Sequence, residues 1–227
     1  MPDAMRALVI ADGVVPDRAG MDRAWPGWRD GVDLIVAADG GALGARALGL
    51  EPSLVVGDGD SLGQDGLALL RRAGIRIDLS PADKDESDTE LAIRACLTRG
   101  AAAITVVGGF GGRLDHALAN IWLLALPGLA GCDASLLDET TRVTLIRADP
   151  SETPVRRLLP GRAGDIVSLV PLGPVDGVTT ESLRYPLRDE RLLVGPSRGL
   201  SNVRERDIAA VTIRHGLLLI VESPATL

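Results

Sequence analysis

Carboxylate side chains recur at short spacings along this chain, a pattern typical of sites that bind a divalent cation. Asp58 and Asp60 flank a single glycine, and the run 83–88 reads DKDESD. Two carboxylates about 5 Å apart repel each other by about 3 kcal/mol at an effective dielectric constant near 20, so several together need a cation. Because every ligand would be an oxygen atom, the pattern favours Mg²⁺ or Mn²⁺ over zinc. The carboxylates expected to converge are Asp39, Asp58, Asp60, Asp83, Asp85, Asp88 and Asp115.

A glycine-rich segment, residues 108–120 with the sequence GGFGGRLDHALAN, predicts a phosphate site. It follows the apolar run 104–107 and leads into a helical pattern, so backbone N–H groups and a helix dipole would face an anion. Arg113 adds a guanidinium group suited to phosphate oxygens, and Asp115 adds a carboxylate. Neither common phosphate-loop spacing is met, so a plain strand-to-helix turn is the alternative. The loop glycines expected to face the ligand are Gly109, Gly111 and Gly112.

Lys84 is the only lysine of the chain, and it lies inside the acidic run. A compact ammonium group there is suited to contact phosphate oxygens. The alternative is a solvated acidic loop in which Ser87 or Asp88 caps the following helix. His116 is not assigned as a base, and no GxSxG motif supports a serine nucleophile.

Short apolar strands alternate with helical segments through the first part of the chain, which predicts a mostly parallel sheet covered by helices on both faces. Four of these strands end in ADG, ADGG, GDGDS and GGFGGR. Ligands of such sheets bind beyond the carboxyl ends of the strands. The carboxylates and glycines should therefore meet at one edge. Residues 14–29, which contain Trp25 and Trp28, are predicted to form a loop, and the two indoles are expected to pack at its periphery.

The pattern changes in the last third of the chain. Residues 149–164 are rich in proline, glycine and arginine and predict a linker, whereas the segments after it alternate apolar residues between turn signals without a helical period. We therefore expect an α/β protein: a mostly parallel α/β/α sandwich domain over residues 1–145, and an all-β sandwich domain over residues 146–227.

Composition excludes several classes of function. A net charge of −7 and a pI near 4.9 argue against a nucleic acid partner, whose phosphates require clustered basic residues. The two distant cysteines indicate neither a zinc site nor a disulfide framework. No apolar run is long enough for a membrane span or a secretion signal, so a cytoplasmic protein without a membrane partner is expected.

Five segments, in order, resemble the motif series of the thiamine pyrophosphokinase family. They are ADGG at 38–41, GDGDS at 57–61, DKDESD at 83–88, GGRLDHALANI at 111–121 and GLSN at 199–202. The resemblance implies an α/β catalytic domain, a β-sandwich that helps to bind thiamine, and a homodimer with active sites at the subunit interface. It also implies the reaction, in which the hydroxyethyl oxygen of thiamine attacks the β-phosphorus of ATP to give thiamine diphosphate and AMP.

The same resemblance assigns roles to individual residues. Mg²⁺ and the triphosphate would be held by Asp58, Asp60, Asp83, Asp85, Asp88, Arg113 and Asp115, with Asp39 nearby, and thiamine would contact Ser201 and Asn202. Asp88 or Asp115 is the candidate acceptor of the alcohol proton. The chain departs from the family pattern at Gly59, where an aromatic residue is usual, and at Lys84, where glutamine is frequent. It offers Leu219 where animal enzymes present a tryptophan, which leaves Trp25 or Trp28 of the partner subunit as candidates for stacking on thiamine.

Two other activities stay open at this stage. A pyrophosphokinase acting on another hydroxymethyl heterocycle, such as a pterin, would use the same phosphate machinery. A glycosyltransferase that uses a DxD motif to hold a nucleotide sugar would explain GDGDS and leave the other four motifs without a role.

Overall fold

The computed structural model describes residues 4–225, which form two compact units divided between Glu139 and Thr140. The division falls a few residues before the predicted boundary after residue 145. The reason is that the strand Arg142–Ala148 pairs with Gly216–Ser223 of the second unit.

The first unit is built on parallel strands, as the alternating apolar segments predict. Their order in the sheet is β6-β5-β1-β2-β3-β4, and each neighbouring pair is parallel. The strands are β1 Arg6–Ile10, β2 Leu34–Ala38, β3 Leu54–Gly57, β4 Arg76–Leu79, β5 Ala103–Val107 and β6 Asp133–Leu137. Most of their apolar side chains are buried because helices pack against the sheet, whereas Leu79 of the edge strand β4 is 51% exposed. Since the strands run in the same direction, their carboxyl ends lie at one edge of the sheet.

The helices of this unit are α1 Arg18–Ala24, α2 Gly41–Ala47, α3 Gly63–Arg72, α4 Asp88–Thr98 and α5 Leu114–Leu123, with a short 3₁₀ turn at Pro127–Leu129. The helix α1 corrects the prediction that residues 14–29 form a loop. Asp17 caps it by accepting a 2.7 Å hydrogen bond from the backbone N–H of Gly20. The flanking proline and glycines hid this short helix, whose Met21 is buried beside Trp28 in the core.

The helix α5 forms where the sequence predicts it, but its apolar face is turned outward. Leu114, Leu118 and Trp122 follow one another at helical spacing and are 73%, 40% and 59% exposed. Leu123 is the residue of α5 that is buried. The first unit therefore carries an uncovered apolar stripe along α5.

The second unit is an antiparallel β-sandwich, which confirms the predicted all-β class. One layer has the strand order β12-β9-β14-β7 and the other β11-β10-β13-β8. The strands are β7 Arg142–Ala148, β8 Val155–Pro160, β9 Ile166–Pro171, β10 Val175–Glu181, β11 Glu190–Leu192, β12 Asn202–Val203, β13 Ile208–Ile213 and β14 Gly216–Ser223. Alternate residues of both layers fill the core between them.

The strand β8 lies inside the segment predicted as a linker, which corrects that prediction. It pairs along its whole length with β13, and Leu159 is 1% exposed in the core. Arg156 and Arg157 gave the segment a polar composition, but only Arg156 is exposed, whereas Arg157 is half-buried on the same face as Leu159, because successive side chains of a strand point to opposite faces.

A buried ionic network also belongs to this unit. Glu222 is 2% exposed and accepts hydrogen bonds from Arg142, at 2.9 Å, and from Arg204, at 2.6 Å. Within residues 4–225 no helix is long and apolar enough to cross a membrane.

Candidate active site

A cleft of about 760 Å³ lies at the carboxyl edge of the parallel sheet, where the first unit gathers most of the predicted catalytic residues. The predicted site residues that line it are Asp58, Asp60, Lys84, Asp88, Gly109, Gly111, Gly112, Arg113 and Asp115. They arrive on the loops that follow β3, β4 and β5, because parallel strands deliver their carboxyl ends to the same edge.

Three carboxylates form a compact group beside this cleft. Asp39, Asp58 and Asp60 each offer an oxygen, and these oxygens lie within 4.8 Å of one another. Asp39 is 2% exposed, and its Oδ2 accepts a 3.0 Å hydrogen bond from the backbone N–H of Ser61. Its Oδ1 is buried and has no hydrogen-bond partner within residues 4–225. A buried carboxylate oxygen without a donor, on a residue grouped with two other carboxylates, fits a divalent cation.

The pKa values of Asp39 and Asp60 are shifted in opposite directions because their environments differ. Burial raises the pKa of Asp39 above its ordinary value, and the hydrogen bonds from Ser61 only partly oppose that shift. Hydrogen bonds with Asp39 and Ser61 lower the pKa of the exposed Asp60. Asp39 is therefore a more basic carboxylate than Asp60, and cation binding would compete with its proton.

Asp12 also lines the cleft, although the sequence reasoning did not select it. It follows β1, and a Cβ atom added at Gly40 would collide with its carboxylate. Burial is the main cause that raises the pKa of Asp12; a hydrogen bond with Ser61 opposes the shift, and the charges of Asp60 and Asp88 add to it. The signal was present in the sequence, because ADG ends β1 as ADGG ends β2.

Lys84 and Asp88 form an ion pair in the cleft, with Lys84 Nζ 2.8 Å from Asp88 Oδ1. The Lys84 side chain is 13% exposed, and the hydrogen bond to Asp88 is the main cause that raises its pKa. Of the two alternative helix caps, Ser87 is the one used: its Oγ accepts a 3.2 Å bond from the N–H of Glu90. Asp88 is thereby left to face Lys84 and the cleft.

Asp83 and Asp85 lie in the same loop, and both are exposed. The residues that line the cleft include neither of them. Their role as metal ligands stays a prediction.

The glycine loop after β5 is held in a backbone conformation that other residues rarely adopt. Gly108, Gly111 and Gly112 have φ values of +73°, +79° and +64°. Asn120 of α5 anchors the loop, because its Nδ2 donates a 2.9 Å hydrogen bond to the carbonyl of Gly109. A Cβ atom at Gly108 would lie 2.6 Å from the carbonyl oxygen of Ala11. The loop is thus a fixed, side-chain-free wall of the cleft.

Arg113 and Asp115 pair at the start of α5. Arg113 Nη2 lies 2.6 Å from Asp115 Oδ2, and the two side chains are 73% and 63% exposed. The hydrogen bond from Arg113 is the main cause that lowers the pKa of Asp115 to about 2. Both charges therefore stand in solvent at the rim of the cleft, where an anionic ligand can reach the guanidinium group.

The two residues predicted to contact thiamine belong to the second unit. Ser201 has a φ of +54°, and its N–H donates a 3.0 Å hydrogen bond to Ser168 Oγ. Asn202 is 4% exposed. Its Oδ1 accepts 2.9 Å hydrogen bonds from the N–H groups of Tyr185 and Val203, and its Nδ2 donates a 2.7 Å bond to the carbonyl of Tyr185.

Of the two tryptophans predicted as candidates for stacking on thiamine, Trp28 is buried in the core of the first unit, and Trp25 is partly buried and packs against that core. Trp28 is 7% exposed and donates from Nε1 to Asp22, and Trp25 donates from Nε1 to the carbonyl of Asp138. Leu219 is 5% exposed within β14.

Comparison with known proteins gives matches over both units. The family model described as thiamin pyrophosphokinase, catalytic domain, matches residues 28–130, and the one described as thiamin pyrophosphokinase, vitamin B1 binding domain, matches residues 152–218. Thiamine pyrophosphokinase of Bacillus subtilis (strain 168) is 24% identical over 219 residues, which cover 95% of this chain and 97% of that protein. Thiamine pyrophosphokinase 1 of Oryza sativa subsp. japonica is 26% identical over 225 residues, covering 95% and 78%.

Solved structures of similar proteins share the fold. A thiamin pyrophosphokinase family protein from Enterococcus faecalis has a TM-score of 0.79 and 26% identity, covering 98% of this chain and 100% of that one. The thiamine pyrophosphokinase from Bacillus subtilis has a TM-score of 0.83 at 21% identity, covering 97% and 100%. Since both domain models match in sequence order and the relatives align along nearly the whole chain, this chain belongs to the thiamine pyrophosphokinase family.

Proposed function

We propose that this protein is a thiamine pyrophosphokinase, which transfers the pyrophosphoryl group of ATP to the hydroxyethyl oxygen of thiamine and releases thiamine diphosphate and AMP. The proposal rests on the cleft of this chain, which is lined by carboxylates, Lys84 and the glycine loop, in a protein that belongs to the thiamine pyrophosphokinase family. The comparisons give no support to pyrophosphoryl transfer to a pterin or to a DxD glycosyltransferase.

Asp39, Asp58 and Asp60 are the proposed ligands of Mg²⁺, with Asp88 across the cleft as a further candidate. The support is the chemistry of the donor set: three carboxylate groups with oxygens close together, and on one of these groups, Asp39, a buried oxygen without a donor. Bound there, Mg²⁺ would neutralise charge on the phosphate oxygens of ATP. Asp83 and Asp85 are kept as predicted ligands that would have to approach from the exposed loop.

The phosphates of ATP are proposed to lie between the glycine loop and the cations of the cleft. Gly109, Gly111 and Gly112 leave room for close approach of phosphate oxygens, because no side chain projects from them. Lys84 contributes a point charge and Arg113 a planar fork of donors. These groups would stabilise charge that develops on the phosphoryl oxygens during in-line transfer.

Asp88 and Asp115 are the candidates to accept the proton of the thiamine hydroxyl, and each is paired with a cation, Lys84 and Arg113 respectively. Asp88 is favoured by its position, because its side chain is 29% exposed within the cleft whereas that of Asp115 is 63% exposed at the rim. On the thiamine side, Ser201 is the proposed contact, and Asn202 supports the segment that carries it.

A homodimer is proposed as the working assembly, with active sites at the subunit interface. The support is the exposed stripe Leu114, Leu118 and Trp122 on the helix that follows the glycine loop. Size-exclusion chromatography with light scattering should give a molar mass of two chains for the wild type. The variant Leu118→Glu should have the molar mass of one chain. Leu69→Glu, on an exposed leucine of α3, is the control that should leave the mass unchanged. A wild-type protein with the mass of one chain would contradict the proposal.

The reducing cytoplasm is the proposed location of the protein, and the free cysteines Cys96 and Cys132 support it.

The activity is tested by incubating the protein with ATP, thiamine and MgCl₂ and separating the products. AMP and thiamine diphosphate are expected in equal amounts, and EDTA should abolish both. ADP as the nucleotide product would exclude pyrophosphoryl transfer. AMP release that requires a pterin alcohol instead of thiamine would exclude thiamine as the substrate.

A further inference from the structure

Tyr185 is the only aromatic residue of the second unit and the only tyrosine of the chain. It lies between β10 and β11, within the residues that match the vitamin B1 binding model. Its side chain is 55% exposed, although its neighbours Leu183 and Leu187 are 4% and 1% exposed in the core. An aromatic ring is thus presented to solvent by a backbone that is anchored on both sides.

The backbone of Tyr185 is held by a buried side chain. Asn202 accepts a hydrogen bond from the Tyr185 N–H at 2.9 Å and donates one to the Tyr185 carbonyl at 2.7 Å. The N–H of Arg184 donates to the carbonyl of Val203 at 2.9 Å, and the N–H of Leu187 donates to Thr180 Oγ1 at 2.9 Å. These bonds leave the main chain around the ring little freedom, so the ring is preorganised.

Unfavourable backbone conformations occur near both residues of the Tyr185–Asn202 contact. Ser182 has a φ of +56° and Ser201 a φ of +54°, which is the left-handed region that non-glycine residues seldom occupy. Such conformations persist where the surrounding bonds enforce them, and they concentrate at ligand-binding segments. Ser201 immediately precedes Asn202, so the strained segment and the segment that holds Tyr185 are continuous.

We propose that the ring of Tyr185 is the aromatic surface on which thiamine rests, and that Asn202 is a positioning residue acting through Tyr185. The proposal rests on the proposed function and names a specificity-determining contact within it. Thiamine carries a positively charged thiazolium ring and a flat pyrimidine, and the face of a phenol ring attracts both a cation and a stacked heterocycle. The other aromatic residues belong to the first unit: Trp28 is buried in its core, and Trp25 is partly buried and packs against that core. Trp122 is exposed on α5, in the stripe proposed for the dimer interface, and Phe110 lies in the glycine loop.

Steady-state kinetics test the contact. At saturating ATP, Tyr185→Leu should raise the KM for thiamine roughly 3- to 30-fold, the range for loss of a cation–π contact, and leave kcat nearly unchanged. Tyr185→Phe keeps the ring face and should stay within about twofold of the wild type. Leu158→Ala, at an exposed leucine of β8, is the matched control and should not change the KM. A general loss of stability would lower the active fraction and kcat instead of raising the KM alone.

A spectroscopic measurement gives an independent readout, because the chain has one tyrosine and labelling only the ε positions of its ring produces a single NMR signal. Thiamine added without ATP should shift that signal in a saturable manner, and Asn202→Ala should weaken the binding while the Tyr185 ring is still present. A wild-type enzyme that converts thiamine, with an unshifted signal and a normal KM in Tyr185→Leu, would overturn this inference alone. A wild-type protein that neither binds nor converts thiamine would overturn the proposed function itself.

Discussion

Replacing Asp39 by asparagine should make the metal-free protein more stable and abolish its stabilisation by Mg²⁺. Asparagine has nearly the same shape, and it tolerates the left-handed backbone of this position, where φ is +43°. Its side-chain oxygen can still accept the hydrogen bond from the N–H of Ser61. The change therefore removes a charge while it keeps the local structure.

The magnitude follows from the distances in the acidic group. Asp39 and Asp58 offer oxygens within 4.8 Å of each other, a separation at which two charges repel by about 3 kcal/mol at an effective dielectric constant of 20 and by about 1 kcal/mol in water. Since Asp58 is half-buried, we expect a gain of about 1 to 2 kcal/mol in the free energy of unfolding. In a protein of this size this corresponds to a Tm about 2 to 8 °C higher.

The assay is thermal unfolding with EDTA and with MgCl₂ at about pH 8, because burial raises the pKa of Asp39 and a higher pH reduces the competition between its proton and Mg²⁺. Mg²⁺ at about 100 times its Kd should stabilise the wild type by about 2.7 kcal/mol and should leave Asp39→Asn almost unaffected. Asp65→Asn, at an exposed carboxylate of α3, is the control for the loss of one negative charge. A variant less stable than the wild type in EDTA, or one that still gains from Mg²⁺, would refute the assignment of Asp39 as a ligand.

Three further outcomes are expected. Asp58→Asn should abolish turnover, and in EDTA it should raise the free energy of unfolding by about 1 to 2 kcal/mol, because it removes the other charge of the same repelling pair; normal turnover would remove Asp58 from the site. Glu222→Gln should lower the free energy of unfolding, measured with urea, by about 3 to 5 kcal/mol, because Arg142 and Arg204 lose their buried carboxylate partner. Glu181→Gln, at an exposed ion pair, is the control and should change it little. Cys96 should resist thiol reagents in the native protein, since burial raises its pKa to about 12 and the thiolate is the reactive form; labelling of more than Cys132 before unfolding would contradict this.

The class of fold and the edge that carries the site could be read from local patterns. Apolar strands that alternate with helices allow few arrangements other than a parallel sheet, and such a sheet brings its strand ends together. The segments GDGDS and GGFGGR were therefore predicted near each other without knowledge of any contact. The short helix α1 and the strand β8 were missed, because the first is marked by little more than the cap at Asp17 and the second is half-exposed.

Finer assignments within the site depended on which side chain reaches which partner. Asp12 and Asp39 both follow strands that end in ADG, but only the tertiary structure brings both carboxylates to the cleft region and buries Asp39 beside Asp58. Asp83 and Asp88 belong to the same acidic run. Asp83 lies in a loop and is exposed, whereas Asp88 is the first residue of α4 and is paired with Lys84. Spacing along the sequence contains no information on such directions.

The sequence by itself determined the two-part architecture and the family, because these follow from periodicity and ordered motifs. Only the tertiary structure decided which carboxylate lacks a donor, that Trp28 is buried in a core, and that Asn202 holds Tyr185. Burial and hydrogen-bond pairing join residues distant in the chain, and their energies depend on the folded geometry rather than on neighbours in sequence.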